Sequence, residues 1–206
     1  MKCKMEVLCK FFSKEKYLNE FRQGKIYLKS LEWYRNSEAK DGQKDVFEGS
    51  EYAASGKNVE IYIDGMLIEQ VVNARAERNG YSKDTKASCF FLAKETKKNT
   101  FQFNPAMKSF GKHIVMVTDN AKFERMLYEY SLKHPELQMI CGRCKYVPED
   151  ELHGKYGPFT KRDSYKEQNE WRICVTKHTD ADFTYIDIGD ISDITIILDA
   201  EKLFGA

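Results

Sequence analysis

Residues 168–172 read Gln-Asn-Glu-Trp-Arg, a set whose side chains suit chemistry on a sugar or a phosphate. Gln168, Glu170 and Arg172 recur at every second position of a run that continues to Val175. In a β-strand this spacing puts the amide, the carboxylate and the guanidinium on one face, with Trp171, Ile173 and Val175 on the other. Such a polar face either floors a cleft or is an ordinary solvated stripe, in which case the Glu170–Arg172 pair contributes little. A carboxylate flooring a cleft could stabilise the positive charge that develops on a ribose when its bond to a leaving base breaks. It could also accept from a ribose hydroxyl. An amide about 7 Å along the same face, at roughly 3.3 Å per residue, would orient an acceptor group.

Other constellations offer other chemistries. Asp41, Asp45, Glu48 and Glu51 supply oxygen ligands for a hard cation, although their spacing matches no calcium loop. They read as an acidic surface turn, as a segment ordered by a nearby Lys or Arg, as a substrate contact, or as a metal-dependent nuclease site built on Asp45 and Glu48. Cys141 and Cys144, flanked by His134 and His153, allow a zinc site to be drawn. Their flanks read as one continuing strand, in which positions three apart face opposite ways, so packed thiols are the expectation and no metal is assigned. His113, His134, His153 and His178 lack a context that would mark a nucleophile's base. Lys94, Lys97 and Lys98 with Phe101 and Phe103 read as a solvated loop beside a core, or as a surface that tracks a phosphate backbone and stacks bases.

At 206 residues the chain fits a single domain, 1–206, able to bury a sizeable core. Hydrophobic content of 42% is that of an ordinary globular protein, and a formal net charge of +1 points in bulk to neither nucleic acid nor membrane. The charge is uneven, however. Residues 1–30 carry eight basic and three acidic side chains, and residues 180–206 carry one basic and seven acidic, so the ends are expected to lie side by side. A basic groove for an anionic ligand is the functional alternative. No apolar run is long enough to span a membrane, and the Lys- and Glu-interrupted start does not read as a secretory signal. Six dispersed Cys, several in apolar strand patterns, fit a reducing cytoplasm better than a disulfide scaffold.

Period-2 alternation predicts strands at CKMEVLCKFF, KIYLKS, KASCFFLAK, HIVMVTD, QMICGRCKYV, NEWRICVTK, DFTYIDI and DITIILD. Asp64-Gly65 between two β-rich runs predicts a hairpin. Helices are expected at KEKYLNEFRQ, capped by Ser13 and closed by Gly24, at LEWYRNSE, and at NAKFERMLYEYSLKH, capped by Asn120. The fold class is α+β: a mixed, largely antiparallel curved sheet with a few helices at one end. Regular βαβ alternation and a glycine-rich dinucleotide turn are both missing, so a nucleotide would have to be held another way.

Gln168-Asn169-Glu170 resembles the Gln-x-Glu box of ADP-ribosyltransferases, including the clostridial exoenzymes that modify Rho proteins. The resemblance implies a split, curved α+β sheet and NAD binding without the glycine-rich fingerprint. Lys10, where that family carries Arg or His, and Ser88, one hydroxyl of its serine-rich strand, would contact NAD. Glu170 would stabilise the ribosyl cation and Gln168 would position the acceptor, while Arg172 would hold a phosphate or Glu170 itself. A second resemblance spans roughly residues 5–195 and rests on FRQGKIYLKSLEWYR, KDVFEGS, SCFFLAK, FTKRDSYKEQNEWRI and IGDISDI, in that order. These boxes are similar to those of bacterial and phage proteins found near abortive-infection and other phage-conflict systems. That implies a toxin or conflict protein whose site joins the acidic box, including Glu48, to the Glu-Trp-Arg strand. Its acceptor would be a protein or nucleic acid, and an antitoxin or a phage or host protein its partner. A non-enzymatic module of the same fold, gripping nucleic acid, nucleotide or protein, is the alternative.

Overall fold

A computed structural model describes residues 5–36, 45, 48–78, 80, 83–97, 100–148, 153–177 and 181–204. The chain opens with β1 (Glu6–Phe12), α1 (Glu15–Arg22), β2 (Lys25–Ser30) and α2 (Leu31–Asn36). A long hairpin follows, β3 (Tyr52–Ile63) and β4 (Met66–Arg78), then β5 (Thr85–Lys97), β6 (Thr100–Gln102) and β7 (His113–Val117). After α3 (Asn120–Lys133) come β8 (Ile140–Arg143), β9 (Lys145–Val147), β10 (His153–Lys155) and β11 (Thr160–Arg162). The last elements are β12 (Glu170–Thr176), β13 (Phe183–Asp187), β14 (Thr195–Asp199) and α4 (Ala200–Phe204). This is an α+β protein dominated by an antiparallel sheet. No helix of the described residues is long and apolar enough to cross a membrane.

The main sheet runs β13-β2-β5-β1-β7-β14, with β12, β8 and β6 joined to it around β5. Its register reveals a fork. Phe91 pairs with Cys9 on one edge of β5 and with Glu170 on the other. Ala87 likewise pairs with Lys29 on one side and Cys174 on the other. β1 and β2 therefore share a single edge of β5, one at each end, and diverge across residues 88–90. The opposite edge carries β12 in continuous register. The sheet is split, and the split opens at its centre.

Apolar residues cover both faces. On one, Leu8, Phe90, Trp171, Ile173 and Val175 pack with Leu18 and Phe21 of α1 and Phe123 and Leu127 of α3. On the other, Val7, Cys9, Phe91 and Ile114 meet Met107 of the 3-10 turn Pro105–Phe110 and Ala200 of α4. The helices thus lie on both faces and not at one end, because each face of a central strand is apolar and needs a cover. The charge-segregated ends do adjoin: β2 pairs with β13, and the Arg22 guanidinium donates to Thr195 Oγ1 and to the Ser192 carbonyl.

Local expectations held in part. Asp64 and Gly65 turn the hairpin with φ of 49° and 80°, as a type I′ turn requires. The α3 cap is Asp119, whose Oδ1 accepts from the Lys122 N–H at 2.9 Å. Asn120 is instead spent on β1, accepting from Leu8 N–H and donating to the Glu6 carbonyl. Ser13 does not cap α1, whose cap position is Lys14 with no side-chain bond. The run at 138–147 is not one strand: it breaks at Cys144, with β8 joining β12 and β9 pairing in parallel with β11.

Gly24 closes α1 at φ 93° and presses on Gly189, whose carbonyl oxygen would lie 2.0 Å from a Cβ built at position 24. Neither the backbone nor the neighbour can yield cheaply. Gly24→Ala is expected to cost at least about 2 kcal/mol in urea unfolding; an unchanged midpoint would show that the α1–β2 corner is not held this closely.

Candidate active site

Strand β12 begins at Glu170 because Asn169 turns the chain there. Asn169 adopts a left-handed conformation, φ 38°, which ends the 3-10 turn Asp163–Gln168. Its own polar groups then extend the pairing with β5: Nδ2 donates to the Leu92 carbonyl at 2.5 Å, and its carbonyl accepts from Leu92 N–H at 2.9 Å. Gln168 therefore does not share the strand face predicted for it, because the left-handed residue resets the alternation. Glu170 and Arg172 do share a face, opposite Trp171 and Ile173.

That face is not a solvated stripe. Glu170 and Arg172 are 6% and 1% exposed. Burying charge is tolerated only with nearly complete pairing, and the pairing here is dense. Arg172 Nε donates to Glu170 Oε1 at 2.5 Å, while Nη1 and Nη2 make a bidentate pair with Glu48 at 2.5 and 2.8 Å. Nη1 also donates to the Pro158 carbonyl. Lys161, from β11, donates to Glu170 Oε2 at 2.9 Å and to Gln168 Oε1 at 2.7 Å, and lies 3.9 Å from Glu48. The backbone N–H of Glu170 donates to the Tyr146 hydroxyl. Glu48 is in turn fixed from behind, its carbonyl accepting from Arg35 Nε at 2.9 Å.

Electrostatics keeps Glu170 and Lys161 ionised. Burial pushes the Glu170 carboxyl up, but Arg172 and then Lys161 outweigh it and hold it below the usual carboxylate range. Burial pushes Lys161 down, and Glu170 and Glu48 more than reverse that. The thiol of Cys89, hydrogen-bonded to Glu170, is pushed up to about 12, chiefly by burial.

Glu170, Arg172, Lys161, Gln168 and Glu48 all line one cleft of about 460 Å³, within the size range of small-molecule sites. Lys10 lines it too. The residue is half-buried, with its amine turned inward: Nζ donates to Ser88 Oγ at 2.8 Å and to the Cys89 carbonyl at 3.0 Å, and sits 4.7 Å from the Phe90 ring centre. Those acceptors belong to the stretch of β5 left open by the fork, so Lys10 fills the gap between the two halves of the sheet. Burial lowers its amine to about 8, against smaller opposing effects of Cys89 and Glu170. Ser88 takes part only through Lys10. The outer walls are aromatic, with Tyr17, Tyr27, Trp33 and Tyr185, and Lys29 stands 3.2 Å above the Trp33 ring centre.

The sequence-predicted residues Lys10, Glu48, Gln168, Glu170 and Arg172 thus converge, with Ser88 one bond away. Two carboxylates of the acidic segment do not lie on the surface: Asp45 and Glu48 are buried, Asp45 lying 3.7 Å from Arg162. Ordering by a neighbouring arginine, one of the alternatives for this segment, is what Glu48 exhibits; Asp41 lies outside the described residues. Lys161 and Trp33 were missed, as was Tyr34, which also lines the cleft, and nothing in their local spacing marks them. Cys141 is exposed and Cys144 buried, and among the described residues no three His, Cys, Asp or Glu are grouped to hold a metal ion. Phe101 and Phe103 are partly buried and packed against the core on the second face, as expected of a loop beside a core. Lys98 and His178 lie outside the described residues.

Two outcomes test this geometry. Glu48→Ala strips Arg172 of its bidentate partner and is expected to cost about 3–5 kcal/mol in chemical unfolding; a loss under about 1 kcal/mol would mean the guanidinium is not buried as described. The second concerns Lys10, whose unfolded amine titrates near 10.4. Between pH 8 and that value the unfolded chain binds more protons, so the Lys10 contribution to stability rises with pH. Wild type is expected to gain on Lys10→Met as pH is raised through that window, with the buried thiols common to both proteins cancelling. A difference independent of pH would show an ordinary lysine.

Comparison with known proteins returns no match: no family model, no curated protein and no solved structure is similar to this chain.

Proposed function

We propose that the cleft binds a nucleotide, NAD in the first instance, and that the protein is an ADP-ribosyltransferase-like enzyme carrying ADP-ribose to a macromolecular acceptor. The observation that carries this reading is an ionised Glu170 on the wall of the same cleft as Lys10, beside aromatic faces. The nicotinamide–ribose bond breaks with its electron pair leaving on nicotinamide, which makes the ribose cationic. A carboxylate in a water-poor wall lowers the energy of that charge. The acceptor's nucleophile then bonds to the anomeric carbon and releases its proton to solvent. Gln168 and Lys10 act in positioning, Gln168 toward the acceptor and Lys10 toward the cofactor's anionic groups. A split sheet and the lack of a glycine-rich turn are in keeping with this chemistry. The setting, a toxin or antiviral defence in phage–host or microbial conflict, rests on the ordered boxes alone.

One observation favours a second reading. Both Glu170 oxygens are already engaged, by Arg172 and Lys161, so much of the charge a ribosyl cation would feel is offset. On that account the cleft binds its ligand without turning it over.

Incubation with labelled NAD and a cell lysate separates the two. Nicotinamide release and label transfer are expected from wild type and to fall about 100-fold in Glu170→Gln, provided the variant's unfolding midpoint shows it folded. Equal transfer by both proteins would remove Glu170 from the chemistry. Saturable NAD binding without nicotinamide release would leave the binding reading in place.

A further inference from the structure

The edge of the sheet at the mouth of the cleft carries an exposed aromatic cluster, of which Tyr27 and Tyr185 also form the cleft's outer wall while Phe183 lies beyond it. On β2 and β13 the residues facing the core, Ile26, Leu28 and Ile186, are fully buried, and the outward face carries three aromatic rings among Lys25, Lys29 and Asp187. Tyr27, Phe183 and Tyr185 are 36%, 47% and 52% exposed. Their ring centres lie 5.4 Å (Tyr27–Phe183), 5.0 Å (Tyr27–Tyr185) and 6.0 Å (Phe183–Tyr185) apart. Register explains the grouping: Tyr27 stands opposite Tyr185, and Phe183 opposite Lys29. β13 ends the sheet, where natural proteins usually place charge rather than rings.

Charge decides what such a surface suits. Glu48 and Glu170 are committed to Arg172 and Lys161, which leaves Lys10, Lys25 and Lys29 against Glu20 among the charged groups lining the cleft. Asp187, opposite Lys25 in register, and Asp182, near Tyr27, bracket β13 and offset part of that field. The rings offer π-faces next to a cationic cleft. Unpaired bases on a phosphodiester chain match both properties, since every base stacks and every linkage is anionic. A duplex hides its base faces, and a protein's apolar side chains would gain nothing from the lysines.

We infer that Tyr27, Phe183 and Tyr185, with Lys25 and Lys29, form a stacking platform for single-stranded nucleic acid at the mouth of the cleft. Strand binding stands on this platform alone. Only its role as the acceptor of ADP-ribose rests on the function proposed above.

The test is fluorescence anisotropy of labelled oligothymidine, about 12 nucleotides long, against a duplex of equal length, without NAD. The single strand is expected to bind more tightly, with a log–log salt slope near −1.4 from two lysine contacts. Tyr185→Ala is expected to weaken binding by about 10-fold or more, and Tyr185→Phe to preserve it within about twofold. Binding of the duplex as tight as that of the single strand, or indifference to Tyr185→Ala, would overturn the platform. So would displacement of oligothymidine by polyglutamate as readily as by unlabelled strand, which would mean that charge alone is read. Because the assay contains no NAD, strand binding without NAD cleavage sinks only the reaction, and NAD cleavage without strand binding sinks only the platform.

Discussion

A buried guanidinium is the constraint on which the rest of this molecule depends. Arg172 stands on β12, paired with the central strand β5, and is almost wholly removed from water. An unpaired charge in that position would cost several kcal/mol, so the surrounding chain has to deliver carboxylates and carbonyls to it. Glu48, Glu170 and the Pro158 carbonyl do so. Each comes from a different part of the fold, and Lys161 adds β11 through Glu170. The segments that carry Glu48, Pro158 and Lys161 are not strands of the main sheet, and the ion network ties them to β12 where ladder hydrogen bonds do not. Two cations and two carboxylates sum to no net charge, which is what makes the cluster tolerable in a dry wall.

The fork in the sheet explains why a cleft lies beside that cluster. β5 is held along one edge by β12 but shares its other edge between β1 and β2, which part company over residues 88–90. An open strand edge inside a fold exposes backbone groups that need partners. Lys10 meets that need with its amine, bonding the Cys89 carbonyl and the Ser88 hydroxyl, and so places a cation at the floor of the split. The α1–β2 corner, closed by the tight Gly24–Gly189 contact, sets one bank of the opening. A split sheet, a buried ion cluster and a basic, aromatic mouth are therefore consequences of one another and not separate ornaments.

Much of this was legible in the chain, and the failures share a physical cause. The alternation of Trp171, Ile173 and Val175 identified both the strand and its apolar face, and Asp64-Gly65 identified the hairpin, because these signals are local and set by backbone sterics. Glu170 and Arg172 were recognised as a pair for the same reason. What remained hidden was whether they met water or Glu48. That bond joins residues 124 apart in sequence, and no spacing rule reports a contact between distant segments. Gln168 was misplaced because it ends a 3-10 turn that the left-handed Asn169 closes, so the strand and its alternation begin only at Glu170. The Asp119–Asn120 exchange of roles is subtler: both residues cap well, and the choice was made by β1, which needed an amide at its end. Trp33 and Tyr34 reach the site from α2, and Lys161 reaches it from β11, outside the main sheet, so their membership is set by tertiary placement that composition does not carry.

The same neutral cluster bears on how an anionic ligand would act here. Glu170 is held at Oε1 by the Nε of Arg172, while Nη1 and Nη2 of the same guanidinium hold Glu48, so one of its two anchors is separate from Lys161. Lys161 divides its amine among Gln168, Glu170 and, at longer range, Glu48. Of the two cations it is the one whose contacts are shared thinly enough to be redirected. A ligand phosphate drawing on Lys161 would leave Glu170 in place with less of its charge offset, and would free the Gln168 amide at the same moment. Ligand binding and the exposure of a negative carboxylate are then coupled through one amine. The share of Glu170's neutralisation that Lys161 supplies is therefore the share that such a ligand would relieve, while the Arg172 bond keeps the carboxylate in place.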